Sequence, residues 1–564
     1  MNRRKTQEAR RKIAFSLMVF VAFACAFHQG VAQQKSTGVK ATASELQMPK
    51  LVVGIVVDQM RYDLLYRYYS RYGDGGFKRL LNDGFSCEQT HYNYMPTYTG
   101  PGHTSIYTGS TPSNHGIIAN NWYDKKSGTM VYCAQDDSVS GVGTASKAGR
   151  MSPKRMIGTT VTDQLQLATV QRSKVIGIAL KDRGAIMPAG HSADAAYWLD
   201  DAAPNWISSS FYMTDLPQWV KDFNALEKVK QYTSKPWETL YPIETYTASI
   251  ADNNPYEVTQ NGESTPTFPH DLPGIVSRSG SYSIVRTTPF GNDLTTDFAI
   301  AALKGEAMGR DAITDFLCLS YSSTDYVGHA YGPMSVETED TYLRLDRDIE
   351  RLLKHLDETV GLSNVLIFLT ADHGVSDVPA YLKTLRIQST VVDENAMLRN
   401  VKSYCKQTFG DSLVARFYNQ QFSFNETAVA RLKTTRSDAA EKVAGFVRTL
   451  DETFQVYTAN DLTRYEYNHL HQRAIQLGFH PVRSGDVMVN FPPHYIDFGD
   501  PGTTHGSPYT YDTHVPLLWF GWNVKKGKTY ERVDITDIAV TLSAMLHILP
   551  SSVATGNVIT PLLD

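Results

Sequence analysis

The chain has 564 residues, of which 42% are hydrophobic and 20% charged, and a formal net charge of −4. This is the balance of a globular protein with a large core, and it excludes a disordered chain, a collagen-like repeat and a multi-span membrane protein. With acids in slight excess there is no general basic field for nucleic acid.

Residues 1–32 read as a signal peptide rather than as fold. Arg3, Arg4, Lys5, Arg10, Arg11 and Lys12 precede an apolar run from Ile13 to Phe27, and Gly30 and Ala32 supply the small residues a cleavage site needs. Cleavage would remove six basic residues and one acidic one, leaving 48 against 57 and a net charge of −9. The expected location is therefore periplasmic or secreted. Cys25, after Ala22-Phe23-Ala24, is a rival lipid-attachment site, but the phenylalanine fits that signal poorly. Residues 33–48 are small and polar, a flexible lead-in, and residues 49–564 are expected to form one domain. No later run reaches the roughly 18 apolar residues of a membrane span.

Leu51-Val-Val-Gly-Ile-Val-Val57 is a continuous run of β-formers, which predicts a strand buried on both faces. Similar runs recur at residues 174–180, 316–321, 365–370 and 515–521. Between them, residues 336–356 carry Tyr342, Leu343, Leu345, Ile349, Leu352 and Leu353 on one helical face, and residues 535–546 repeat the pattern. The alternation predicts an α/β fold with a mostly parallel central sheet flanked by helices. Residues 190–290 and 380–495 break it and are expected to be cap or rim insertions, the second with a helical stretch at 428–454. Cys87, Cys133, Cys318 and Cys405 are scattered without a CxxC, so no zinc–thiolate cluster is expected, and Cys318 reads as a buried small hydrophobe.

The strand-like runs are bordered by acids and bases. Asp58 follows the first; Asp325 and His329 follow the third; Asp372 and His373 follow the fourth; His505 precedes the fifth. In an open parallel sheet the strand carboxyl ends share one edge, where ligands bind. Taken singly, Asp58 reads as a turn residue, Asp325 as a helix cap and His329 and His505 as satisfied polar side chains, whereas Asp372-His373-Gly374, two adjacent ligand types followed by glycine, is a costly combination at a strand end. Together, three Asp and three His make two three-ligand sets suited to catalytic zinc, although such sets also suit manganese. Two ions about 4 Å apart could clamp an in-line displacement.

A second constellation surrounds Thr99-Gly-Pro-Gly-His103. Pro101 just inside a helix start puts Thr99 at the helix N-terminus, where positive dipole and free N–H groups suit a phosphate. Downstream, Asn120 offers an amide, and Lys181 and Arg183 follow the second strand as cations aimed at a phosphoryl group.

With these motifs the chain resembles the alkaline phosphatase superfamily, most closely the bacterial phosphate-irrepressible alkaline phosphatases. The stretches that carry the likeness are Thr-Gly-Pro-Gly-His, Asp-x-x-x-His, Ala-Asp-His-Gly and Thr-His-Gly-Ser-Pro. The resemblance implies two zinc ions, one held by Asp325, His329 and His505, the other by Asp58, Asp372 and His373 with Thr99. It implies Thr99 as nucleophile, a phosphothreonine intermediate, and Asn120, Lys181 and Arg183 on the phosphoryl oxygens. Small phosphate monoesters are the expected substrates; a phosphodiesterase of the same superfamily and a non-catalytic surface binding protein are the alternatives. The Cys-x-Pro-x-Arg signature of sulfatases is absent around Thr99. His115 and His191 are read as structural.

Overall fold

The computed structural model describes residues 48–499 and 501–563. The signal peptide, Cys25 and residues 33–47 lie outside the described residues. The first apolar run forms β1, Leu51–Val57, buried at all seven positions. Its one glycine has a packing reason: a Cβ on Gly54 would lie 2.3 Å from the Tyr107 hydroxyl and 2.5 Å from the Phe368 ring. The bare backbone lets the helix α1, Thr99–Thr108, lie directly on the sheet, and all ten of its residues are buried. Before it in the chain comes β2, Phe85–His91. After it come a hairpin of β3, Asn121–Asp124, and β4, Thr129–Tyr132, then β5, Val175–Ala179.

A helix α2, Asp182–Ala189, leads to β6, Ala195–Leu199, and β7, Trp206–Ser209. The third apolar run forms β8, Asp315–Tyr321, followed at once by α3, Ser323–Tyr331. The long helix α4, Val336–Thr359, buries the face read from the sequence, and Ser335 caps it by accepting from the Thr338 N–H. It returns the chain to β9, Val365–Thr370. The five central strands, in the order β9–β1–β8–β5–β6, are mutually parallel, which places four strand carboxyl ends, those of β9, β1, β8 and β5, side by side.

The second insertion folds around a four-stranded sheet of β10, Val414–Tyr418, β11, Gln421–Phe424, β12, Gln455–Thr458, and β13, Val487–Asn490. Helices Glu394–Phe409 and Arg436–Leu450 cover it, around a core that includes Val401, Phe422, Phe424, Val443 and Val487. The expected helix at 428–454 is corrected here. Helix ends at Val429, restarts at Arg436 and gives way to β12, because Thr435 caps a new helix by accepting from the Asp438 N–H.

The last apolar run is also corrected. β14, Leu517–Gly521, is antiparallel to β9 and to β2, so the sheet is parallel at its centre and antiparallel at its flanks. β15, Gly527–Asp534, pairs with β2, and α5, Asp537–Met545, closes the layer. The antiparallel direction has a consequence for function. Leu517 at the start of β14 pairs with Thr370 at the end of β9, so a residue preceding β14 reaches the same edge as residues following β9. All four described cysteines are free and buried.

The first insertion is fastened to α3 and α4. The Trp237 Nε1–H donates to Asp340 Oδ2 at 2.8 Å, and the Val258 N–H to the Ala330 carbonyl at 2.8 Å. Where it meets the helix α4, Glu257 and His270 of the insertion and Glu337 of α4 are all buried. Burial, and then the Glu337 carboxylate, pushes Glu257 up to about 10; burial pushes Glu337 up to about 7. Burial alone would lower His270, but its hydrogen bonds to Glu263 and Glu337 hold it up to about 9. All three exceed their ordinary values, so the folded state holds the extra protons. The stabilisation is present below the unfolded pKa values and is lost as pH rises through the folded ones. Stability should therefore fall as pH rises between the unfolded and folded values of each group, from about 4.5 to 7 for Glu337, 4.5 to 10 for Glu257 and 6.5 to 9 for His270, by up to about 1.4 kcal/mol per pH unit for each proton held only by the folded state. Glu257→Gln, an uncharged isostere, should flatten the fall between about pH 5 and pH 10. Urea unfolding at stepped pH tests this, and identical slopes for parent and variant would count against the assignment.

Candidate active site

Six metal-type ligands arrive at the carboxyl edge from four chain segments. Asp58 caps the end of β1; Asp372 and His373 follow β9; Asp325 and His329 stand one turn apart on α3; His505 precedes β14. Asp58, Asp325, Asp372, His373 and His505 are all buried, while the His329 side chain is 22% exposed.

Each imidazole is fixed through Nδ1 to a main-chain carbonyl: His329 to Thr503 at 2.6 Å, His505 to Thr97 at 2.6 Å and His373 to Gly374 at 2.9 Å. A neutral imidazole donates from Nδ1 in that arrangement and turns its Nε2 lone pair inward. Those lone pairs face carboxylate oxygens. His329 Nε2 is 3.2 Å and His505 Nε2 3.6 Å from Asp325 Oδ1, and His373 Nε2 is 3.5 Å from both Asp58 Oδ1 and Asp372 Oδ2. The His373 and His505 rings stack at 3.4 Å. Burial pushes His373 down to about 3 and lowers His505, which keeps both uncharged.

Asp58 Oδ1, Asp372 Oδ2 and His373 Nε2 are buried without a hydrogen-bond partner. Buried acceptors facing each other are costly unless a cation lies among them. The donor set, oxygen and imidazole with no thiolate, suits a hard or borderline divalent ion. The atoms of Asp58, Asp372 and His373 lie within 4.8 Å of one another, as do those of Asp325, His373 and His505. The first trio is the set expected from the sequence. In the second, His373 stands in the tight group and His329 joins through its contact with Asp325, so His373 lies between the two groups.

Thr99 is the first residue of α1 and 1% exposed; Tyr98 is the N-cap, and the Thr99 side chain makes no capping bond. Its Oγ1 lies 3.5 Å from Arg183 Nη2. A Cβ on Gly102 would fall 2.4 Å from the Asp372 carbonyl oxygen, so the glycine lets the first turn of α1 press against the Asp372 loop. The Asn120 amide oxygen accepts from the Gly100 N–H at 2.7 Å, which holds the amide beside the helix start. Lys181 and Arg183 stand at the start of α2, directly after β5. Lys181 Nζ is 2.7 Å from Asp58 Oδ2 and also bonds Asp325 Oδ2, so the ammonium here rests between the two carboxylate groups.

Four further residues build the site, and the sequence reading did not single them out. His103 touches the Thr99 carbonyl at 2.9 Å, Asp372 Oδ2 at 3.3 Å and Ser320 Oγ at 2.9 Å. The Tyr132 hydroxyl donates to Asp182 Oδ1 and accepts from Arg183 Nη1 at 3.2 Å. The Tyr326 ring lies 4.9 Å from the Lys181 ammonium. The Gln59 N–H donates to Asp372 Oδ1 at 3.0 Å and its Nε2 to Asp325 Oδ1 at 2.9 Å. His115 is fully buried, bonded to Ser105, and His191 lies beside Asp163, so neither joins the cluster. A separate cleft of about 720 Å³, lined by Lys125, Arg436 and Asp486 among others, shares none of these residues.

The chain is similar to several known proteins. Residues 52–514 match the family model described as type I phosphodiesterase / nucleotide pyrophosphatase. The alkaline phosphatase PhoV of Synechococcus elongatus is 44% identical over 94% of this chain and 96% of its own. The alkaline phosphatase PafA of Elizabethkingia meningoseptica is 43% identical over 91% of this chain and 94% of its own. A crystal structure of PafA superposes with a TM-score of 0.89, covering 92% of this chain and 99% of that one. A Myroides odoratus protein named as a calcium-transporting ATPase is 43% identical over 98% of this chain and 99% of its own.

Proposed function

The chain belongs to the type I phosphodiesterase / nucleotide pyrophosphatase family of the alkaline phosphatase superfamily, and on that premise we propose that it is an exported alkaline phosphatase releasing inorganic phosphate from phosphate monoesters. The observation that carries the reading is the pair of carboxylate–imidazole groups, with unpartnered acceptors, next to a buried hydroxyl at a helix N-terminus. Asp325, His329 and His505 would hold one zinc ion, and Asp58, Asp372 and His373 with Thr99 the other. Bound there, zinc supplies Lewis acidity that makes a hydroxyl nucleophilic and neutralises charge on a departing oxygen.

The remaining steps belong to the chain's own residues. Thr99 Oγ1 attacks phosphorus in line, forming phosphothreonine as the bond to the alcohol oxygen breaks. Water then cleaves phosphothreonine, returning Thr99 and phosphate. Arg183, held by Tyr132 and beside Thr99, and the Asn120 amide meet the charge on the equatorial oxygens, with Lys181 behind them. Residues 190–290 and 380–495 would shield this edge as a cap and rim.

The family description includes diesterases, and one observation favours a monoester. Lys181 is a buried cation and Arg183 a partly buried one beside the reaction site, and a monoester dianion presents one more charged oxygen to them than a diester does. A diesterase would gain more from apolar surface there. On zinc-loaded protein, the kcat/KM ratio for an aryl monoester over its diester should exceed about 100, roughly 2.7 kcal/mol of discrimination. A ratio below one would make the protein a diesterase; a loaded site that never forms phosphothreonine would make it a binding protein. Among the described residues, no helix is long and apolar enough to cross a membrane.

A further inference from the structure

One buried residue touches both ligand groups and has no part in the reaction above. Gln59 follows Asp58 at the end of β1, is 2% exposed, and has φ +65°, a left-handed backbone that glycine adopts freely and glutamine does not. Its main-chain N–H donates to Asp372 Oδ1 at 3.0 Å, while its side-chain Nε2 donates to Asp325 Oδ1 at 2.9 Å. Asp372 and Asp325 follow different strands, β9 and β8, which flank β1 on opposite sides. The side chain is confined as well: a Cβ at Gly328 would lie 1.9 Å from Gln59 Oε1, so the amide sits against bare backbone of α3 between Asp325 and His329.

Three features of this residue fit one purpose. The left-handed turn aims the N–H and the side chain at carboxylates on opposite sides of β1. An amide donates without charge, whereas glutamate would set a second carboxylate against Asp325 and lysine would add a cation beside Lys181. The bare backbone at Gly328 leaves the amide oxygen room, so the NH2 can point at Asp325. A residue that only filled the turn would be better replaced by glycine, since the positive φ strains a glutamine backbone and not a glycine one.

We propose that Gln59 is a positioning residue that braces the two carboxylate–histidine groups against each other and so fixes the spacing at which they hold their ions. This rests on the metal reading given above.

The test uses the full-length, zinc-loaded chain and follows zinc release to a chromophoric chelator, with stability and steady-state kinetics measured in parallel. Gln59→Gly keeps the N–H bond to Asp372 and relieves the backbone, but removes the brace to Asp325. Gln59→Asn tolerates the left-handed turn, but its amide is one methylene too short to reach. Both variants should remain as heat-stable as the parent, yet release zinc at least about tenfold faster, the usual effect of losing a group that orients a metal ligand. The loss in turnover should fall on kcat, with KM within about threefold of the parent. Release from Gln59→Gly within about twofold of the parent would overturn the brace. A parent chain that binds no stoichiometric zinc would overturn the metal reading and this proposal with it.

Discussion

Thr99→Ala should lose turnover by on the order of 10⁴-fold or more and form no phosphoprotein, because the substitution removes the atom proposed to bond to phosphorus. Thr99 occupies the first position of a helix whose ten residues are all buried, so its hydroxyl is fixed against a rigid element and cannot be replaced by a neighbour. The exposed N–H groups of that first turn and the positive end of the helix dipole favour both an alkoxide and the phosphorylated product. Arg183 Nη2 lies 3.5 Å from the same oxygen, on the side where equatorial phosphoryl charge would develop. Thr99→Ser keeps the hydroxyl and should retain the covalent step, at a cost from the lost methyl packing. Acid-quench trapping with a labelled aryl phosphate separates the outcomes. Label on Thr99 in the parent, on the replacement hydroxyl in Thr99→Ser and on nothing in Thr99→Ala supports the assignment. Label on any other residue in the alanine variant would remove Thr99 as nucleophile.

Much of this arrangement was legible because burial and chemistry leave strong local marks. A strand covered on both faces has little choice but an unbroken apolar run, and the runs around Leu51, Val175, Phe316 and Val365 are the parallel centre of the sheet. Catalytic residues at strand ends then follow from the topology, since a parallel sheet gathers those ends along one edge. The direction of β14 was not legible, because an apolar run carries no sign of which way it pairs. His505 nonetheless reaches the edge, since the start of an antiparallel strand lies where its parallel neighbours end.

The missed residues share a different cause. Gln59, His103 and Tyr132 act through contacts with groups far along the chain, and their identity as polar side chains beside a motif is common to many residues with no such role. Gln59 was the most accessible of them. A long polar residue directly after a strand-terminal aspartate is an odd choice for a tight turn, and Gly328 inside the Asp325–His329 spacing marked the place where something must approach closely. The division of ligands was legible only through the resemblance. Asp58, Asp372 and His373 do form one tight group, but His373 also closes on Asp325 and His505, a sharing that spacing along a chain cannot express.

Lys181 should matter far more for stability without metal than with it. Three buried carboxylates, Asp58, Asp325 and Asp372, crowd one pocket, and the imidazoles beside them at His373 and His505 are kept neutral by burial. Burial, then Asp325 and Asp372, raises Asp58 well above the usual carboxylate range. Burial would raise Asp325 too, but Lys181 and then His329 overcome it and pull that carboxyl well below the range. In the other direction, burial would lower Lys181, and Asp325 and Asp58 overcome it. The ammonium is thus the cation that offsets this charge when the ions are absent. Lys181→Met keeps the length and removes the charge. In chelator-treated protein it should cost about 3–5 kcal/mol, the usual penalty for leaving buried charge unpaired. Zinc-loaded protein should lose well under half of that, because the ions offset the same carboxylates. Denaturant unfolding of parent and variant, each with zinc and with chelator, measures both differences. Equal losses in the two states would mean that Lys181 and the metal ions do not compensate the same charges. The loaded variant should also lose about 2–4 kcal/mol of transition-state stabilisation toward a monoester, and clearly less toward a diester, which presents one charged oxygen fewer. That pairing of results would tie one lysine to two tasks: screening the ligand carboxylates before the ions bind, and facing the phosphoryl group once they have.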